Sequence, residues 1–114
     1  MSQLQMTFRD MLRSDSVSSH VERRAEKLET FFRPIVRCRV VLEAPHRHHL
    51  HGKQYRVCIR ITVPGEELVI DHPAGDDARF EDLHVAIDCA FDSAAVVLQN
   101  LGHRRHQAVR HAAG

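Results

Sequence analysis

The stretch "CRVVLEAPHRHHLHGKQYRVCIRITVPGEELVI", residues 38–70, decides the fold. On either side of its histidine-rich centre, "IVRCRVVLEA" (35–44) and "QYRVCIRITV" (54–63) are dense in β-branched residues and alternate in polarity. Each therefore reads as a strand with one face buried. Pro64 and Gly65 fall at the two central positions of a type II turn, and "EELVI" (66–70) returns as a third strand. Three such runs with short connections form a meander with antiparallel neighbours.

Upstream, Leu4, Met6 and Phe8 alternate with Gln5 and Thr7, a short half-buried strand. Ser14 is suited to cap a helix, with Asp15 at its positive end. Val17, Val21, Ala25, Leu28 and Phe32 then follow helical spacing until Pro34 stops it. Downstream, "HPAGDDAR" (72–79) is a polar loop, and a second helix runs from about Phe80 to about Gly102. Its inner stripe is Leu83, Ile87, Ala90, Ala94, Leu98 and Leu101. The order is β-α-β-β-β-α, and two helices on one face of a four-stranded antiparallel sheet bury both stripes at once. The expected fold is a two-layer α+β domain over residues 1–105, with a basic tail over 106–114 that frays.

The 114 residues are 43% hydrophobic and 27% charged, which suits one globular domain. No apolar run approaches the ~20 residues of a membrane span, and "MSQLQMTFRD" (1–10) has no apolar signal core. Three irregularly spaced cysteines make no disulfide framework, which favours a reducing cytoplasm. There is no glycine-rich phosphate loop and no nucleophile motif, so no enzyme is expected.

A net charge of +1 excludes a globally basic polyanion binder, so local segregation has to decide. On the first helix His20, Arg23, Arg24 and Lys27 share one flank, while Glu22, Glu26 and Glu29 take the other. In the sheet, if Val40, Leu42, Tyr55, Val57, Ile59 and Ile61 face the helices, then Arg37, Arg39, Arg56 and Arg60 share the opposite face. Arginines gathered in this way repel across a ladder and suit phosphate oxygens. Arg104 and Arg105 extend the basic set, and acidic neighbours such as Glu43 and Glu67 offset part of it. The same parity turns Cys38 inward and Cys58 outward, which precludes a disulfide between them.

His46, His48, His49 and His51 raise the question of a metal. Four nitrogen donors on one short turn, with no carboxylate among them, do not resemble a structural zinc site. A hairpin tip facing solvent or RNA is the expectation, and these histidines stay the only metal candidates.

The segments "HVERRAEKLETFF" (20–32), "CRVVLEAPHRHHLHGKQYRVCIRITVPGEELVI" (38–70) and "FEDLHVAIDCAFDSAAVVLQNL" (80–101) together resemble the ribosome hibernation promoting factor family. That family includes the ribosome-associated translation inhibitor, and its members are also labelled sigma-factor modulation proteins. The resemblance implies a layout similar to double-stranded-RNA-binding domains. It also implies a non-enzymatic, cofactor-free protein that binds the small ribosomal subunit through rRNA and blocks translation under stress by occupying the tRNA and mRNA channel. His20, Arg24 and Lys27 match the family's basic positions on the first helix. The second helix departs from the pattern, with Ser93, Val96 and Asn100 where related sequences carry Lys or Arg. Val85, Cys89 and Val96 instead line up as an apolar strip, a candidate protein contact or weak homodimer surface. The family's long form carries a further dimerisation module that is not expected here. The alternatives are an interaction module on the same fold that has lost the rRNA site, or a histidine-rich metal-binding protein.

Overall fold

A computed structural model describes residues 3–32, 34–44, 55–72 and 82–113, with side chains except at 72 and 106–113. The elements are β1 (Gln3–Arg9), α1 (Asp15–Phe31), β2 (Arg37–Glu43), β3 (Arg56–Val63), β4 (Glu66–His72) and α2 (Leu83–Ala113). The four strands form one sheet in the order β1-β2-β3-β4, so the two-layer α+β expectation holds.

One part of that expectation needs correction: the sheet is mixed. β2, β3 and β4 are antiparallel neighbours, but β1 runs parallel to β2, pairing Met6 with Val40 and Phe8 with Leu42. The hairpin rule applies only to strands joined by tight turns. β1 and β2 are joined through α1, a crossover that carries the chain back to the end where it started, as parallel strands require.

Local chemistry sets the element ends. Ser14, in an extended conformation, accepts a hydrogen bond from the Val17 N–H at 3.4 Å and opens α1. The Asp82 carboxylate accepts from the N–H groups of His84 and Val85 at 2.9 and 3.3 Å, so α2 starts at Leu83, a little after Phe80. Gly65 takes φ +82° in the β3–β4 turn, the left-handed conformation that a type II turn needs at that position. At the other end, α2 passes Gly102 unbroken and continues to Ala113, so the backbone of the tail is helical where fraying was expected.

The core lies between the helices and the inner sheet face. Val40, Leu42, Val57, Ile59 and Ile61 point inward with at most 1% exposure, beneath Val21, Ile87, Ala90, Phe91 and Ala94 at 0%. Cys38 is buried among them, and Cys58 lies on the opposite face as parity required. Over 83–105, α2 is long and apolar enough to match a membrane span by length and composition. Its apolar stripe is nevertheless spent on the sheet, the arrangement of a core helix.

Candidate nucleic-acid interface

Because both helices pack on one face, the other face of the sheet carries no helix among the described residues. Its rungs follow from the register. Gln5, Arg39, Arg60 and Val69 form one rung; Thr7, Val41, Cys58 and Asp71 form the next; Arg9, Glu43 and Arg56 form the third. The centre sinks into a shallow depression of about 380 Å³ lined by Gln5, Thr7, Arg9, Arg39, Val41, Glu43, Arg56, Cys58 and Arg60.

Arg37, Arg39, Arg56 and Arg60 are brought together here as the alternation implies, and the structure adds Arg9 from β1. The signal for Arg9 was present in the sequence, since it continues the polar parity of Gln3, Gln5 and Thr7. Only the parallel pairing of β1 with β2 sets it beside Glu43 and Arg56.

The guanidinium groups are not equally free. Arg56 donates to both Asp71 carboxylate oxygens at 3.2 and 2.8 Å and lies 3.9 Å from Glu43. The Asp71 hydrogen bond, followed by its charge, holds Arg56 even more firmly protonated than usual. Arg60 pairs loosely with Glu67 at 3.8 Å. Arg37 and Arg39, on the second strand, have no ion pair among the described residues. Arg39 stands directly opposite Arg60, two like charges across a ladder. Such a pair costs stability unless an anion bridges it.

The helix layer differs from its sequence reading. His20, Arg23, Arg24 and Lys27 do share a flank of α1, but the edge of it that carries His20 and Arg24 abuts α2. Arg24 donates to Asp88 at 3.2 Å and Asp92 at 2.6 Å, and His20 binds Asp88 at 2.8 Å. Those two basic groups are thus turned into the helix seam and neutralised, leaving Arg23 and Lys27 exposed. Sequence spacing identified the flank; it could not show that two aspartates 64 and 68 residues away from Arg24 would face it. Arg104 and Arg105 lie within 4.0 and 3.9 Å of Glu66, and Arg105 also donates to the Pro64 carbonyl at 2.7 Å. Both therefore brace the β3–β4 turn.

The apolar strip on α2 is only partly exposed. Val85 and Val96 are 37% and 55% exposed, but Cys89 packs against the core, so the strip is interrupted. No group of three or more metal-ligating side chains occurs among the described residues. His46, His48, His49 and His51 lie outside them.

The described residues thus form a two-layer domain whose sheet bears arginines on the face away from both helices. The chain belongs to the sigma 54 modulation protein / S30EA ribosomal protein family, whose model matches residues 4–106. That is a family of ribosome-associated modulation proteins. The fold is similar to the crystal structure of the Thermus thermophilus Protein Y N-terminal domain, with 22% identity and a TM-score of 0.67 over 89% of this chain and 99% of that one. It is also similar to a ribosomal subunit interface protein from Coxiella burnetii, with 12% identity and a TM-score of 0.68 over 89% of this chain and 98% of that one. No curated protein sequence matches the chain.

Proposed function

We propose that this protein binds the small ribosomal subunit in the cytoplasm through rRNA, and inhibits translation in stressed or resting cells by occupying the tRNA and mRNA channel. It acts by occupancy and makes or breaks no bond. Family membership supports the ribosome as partner. The observation that carries the choice of surface is the open sheet face. There, Arg9, Arg37, Arg39, Arg56 and Arg60 outnumber the three carboxylates Glu43, Glu67 and Asp71, and Arg37 and Arg39 have no carboxylate partner among the described residues. Guanidinium groups fork onto phosphate oxygens. A row of them suits the backbone of structured RNA, which is recognised largely by shape and phosphates.

Arg23 and Lys27 on the helix layer are secondary contacts in this reading. His20 and Arg24 are not contacts, because Asp88 and Asp92 already hold them. Arg104 and Arg105 act first on the β3–β4 turn, through Glu66 and Pro64.

Co-sedimentation with isolated subunits tests the proposal. The protein is expected to travel with small subunits and to lower output in a purified translation reaction. Changing Arg37→Glu and Arg39→Glu together should abolish both effects while leaving the circular dichroism spectrum unchanged. Full co-sedimentation by that double variant would remove the sheet face from the proposal, and no association of the wild type with either subunit would remove the ribosome.

A further inference from the structure

One polar cluster plays no part in that binding surface. At one end of the α1–α2 seam, Ser16 and His20 from α1 meet His84 and Asp88 from α2. His20 Nδ1 lies 2.6 Å from His84 Nδ1, and His20 Nε2 lies 2.8 Å from Asp88 Oδ1. Ser16 Oγ is 3.5 Å from His84 Nε2. The two ring planes lie 12° from parallel with centroids 4.8 Å apart, so the rings meet edge to edge through their Nδ1 atoms. Arg24, with its guanidinium 5.8 Å above the Phe91 ring, joins Asp88 to Asp92. His20 is well sheltered, its side chain only 13% exposed.

These contacts fix where the protons sit. An ionised Asp88 only accepts, so His20 Nε2 must carry a hydrogen. A neutral His20 then has a bare Nδ1, and the 2.6 Å contact is a hydrogen bond only if His84 Nδ1 donates. His84 Nε2 is therefore bare and accepts from the Ser16 hydroxyl. A single direction of donation runs through the chain: Ser16 to His84 to His20 to Asp88.

Adding protons to this chain has unequal consequences. The first extra proton fits on His84 Nε2, with the Ser16 hydroxyl rotating to accept from it. The bond from His84 Nδ1–H to His20 Nδ1 survives and becomes charge-assisted. A second proton has only His20 Nδ1 to occupy. Two N–H groups would then point at each other across 2.6 Å, on two cations with ring centres 4.8 Å apart.

We propose that the His20–His84 pair is a proton-operated latch across the helix seam, closed with no extra proton or one and forced open by the second. The charged groups around it are Arg24 on α1 and Asp82, Asp88 and Asp92 on α2, with the Asp82 carboxylate bonded to the His84 backbone N–H. The β1 residues packed into the core on the helix side of the sheet, Leu4, Met6 and Phe8, bring no charge. Opening also changes the local balance. One cation, Arg24, against three carboxylates, Asp82, Asp88 and Asp92, becomes three cations, His20, His84 and Arg24, against the same three. This end of the helix seam thus loses its net negative charge in acid. The latch does not depend on the ribosome reading.

Imidazole nitrogen NMR on the full chain from pH 8 to pH 5 tests it, with signals assigned through His20→Gln and His84→Gln. At pH 7.5, His20 is expected in the Nε2–H tautomer and His84 in the opposite, Nδ1–H tautomer. On acidification His84 Nε2 should protonate first, while the bridging Nδ1 proton keeps its downfield position. His20 Nδ1 should follow in a second step that erases that signal and lowers the urea midpoint. In His84→Gln the amide donates to neutral His20 or, flipped, accepts from the protonated ring, so His20 takes its proton in one step without the loss of the urea midpoint seen for the second proton in the unaltered pair. Identical tautomers for the two rings at pH 7.5, or independent single-step titration of each regardless of the other's substitution, would overturn the latch. Ring-to-backbone correlations on the unaltered labelled protein assign the same signals independently, so the tautomers are read there even where a variant folds poorly.

Discussion

Replacing Arg37 and Arg39 together by alanine removes two of the three sheet-face cations, Arg9 being the third, that have no carboxylate partner among the described residues. If each neutralises one RNA phosphate, each contributes about 0.7 to 0.9 to the log–log slope of affinity against salt. Losing both should flatten that slope by about 1.6. At about 0.1 M salt the missing counterion release amounts to about 1.6 log units, a weakening of roughly 40-fold, or about 2.2 kcal/mol. The deficit should shrink as salt approaches about 1 M, where counterion release no longer drives binding. The measurement is fluorescence-detected binding of labelled protein to small subunits across a salt series. Arg23→Ala with Lys27→Ala serves as the comparison, because these exposed cations sit on the opposite, helical layer. That pair should change the slope much less. An unaltered slope for the sheet variant, with the full loss in the helix variant, would refute the assignment and move the interface to α1.

Three further expectations concern stability and reactivity. Ile59, fully buried at the centre of β3, is packed on all sides, so Ile59→Ala should cost about 2–5 kcal/mol, read as a lower urea midpoint at unchanged m-value. Burial pushes the Cys38 thiol up to about 11, because desolvation disfavours the thiolate. Its ionised fraction rises only as pH approaches that value, so at pH 8 iodoacetamide should label Cys58 and Cys89 first and Cys38 only on unfolding; early labelling of Cys38, followed by mass spectrometry, would contradict its burial. Asp82→Ala removes the acceptor for two N–H groups at the start of α2 and should cost about 0.5–2 kcal/mol, with faster amide exchange at His84 and Val85.

Much of this molecule was legible from one dimension because the forces involved are local. Alternation in 35–44 and 54–63 set which side chains face inward, since a strand has a period of two whatever it pairs with. Ser14 and Pro64–Gly65 marked a helix start and a turn through their own backbone chemistry. The outward arginines followed from the same parity, and so did the separation of Cys38 from Cys58.

What stayed hidden depends on contacts between distant segments. Direction is one case: nothing inside "LQMTF" says that β1 runs parallel to β2, because that follows from α1 crossing over the sheet. Charge is the other. Sequence spacing puts His20 and Arg24 on the basic flank of a helix, but a side chain's partners are set by which element packs beside it. Only the docking of α2 brings Asp88 and Asp92 against them and closes the His20–His84 contact. The amino-acid order determined the elements, the buried faces and the pool of arginines. The tertiary structure decided which of those charges are spent inside the protein and which remain for a partner, because Coulomb and hydrogen-bond energies depend on distance in space and not on separation along the chain.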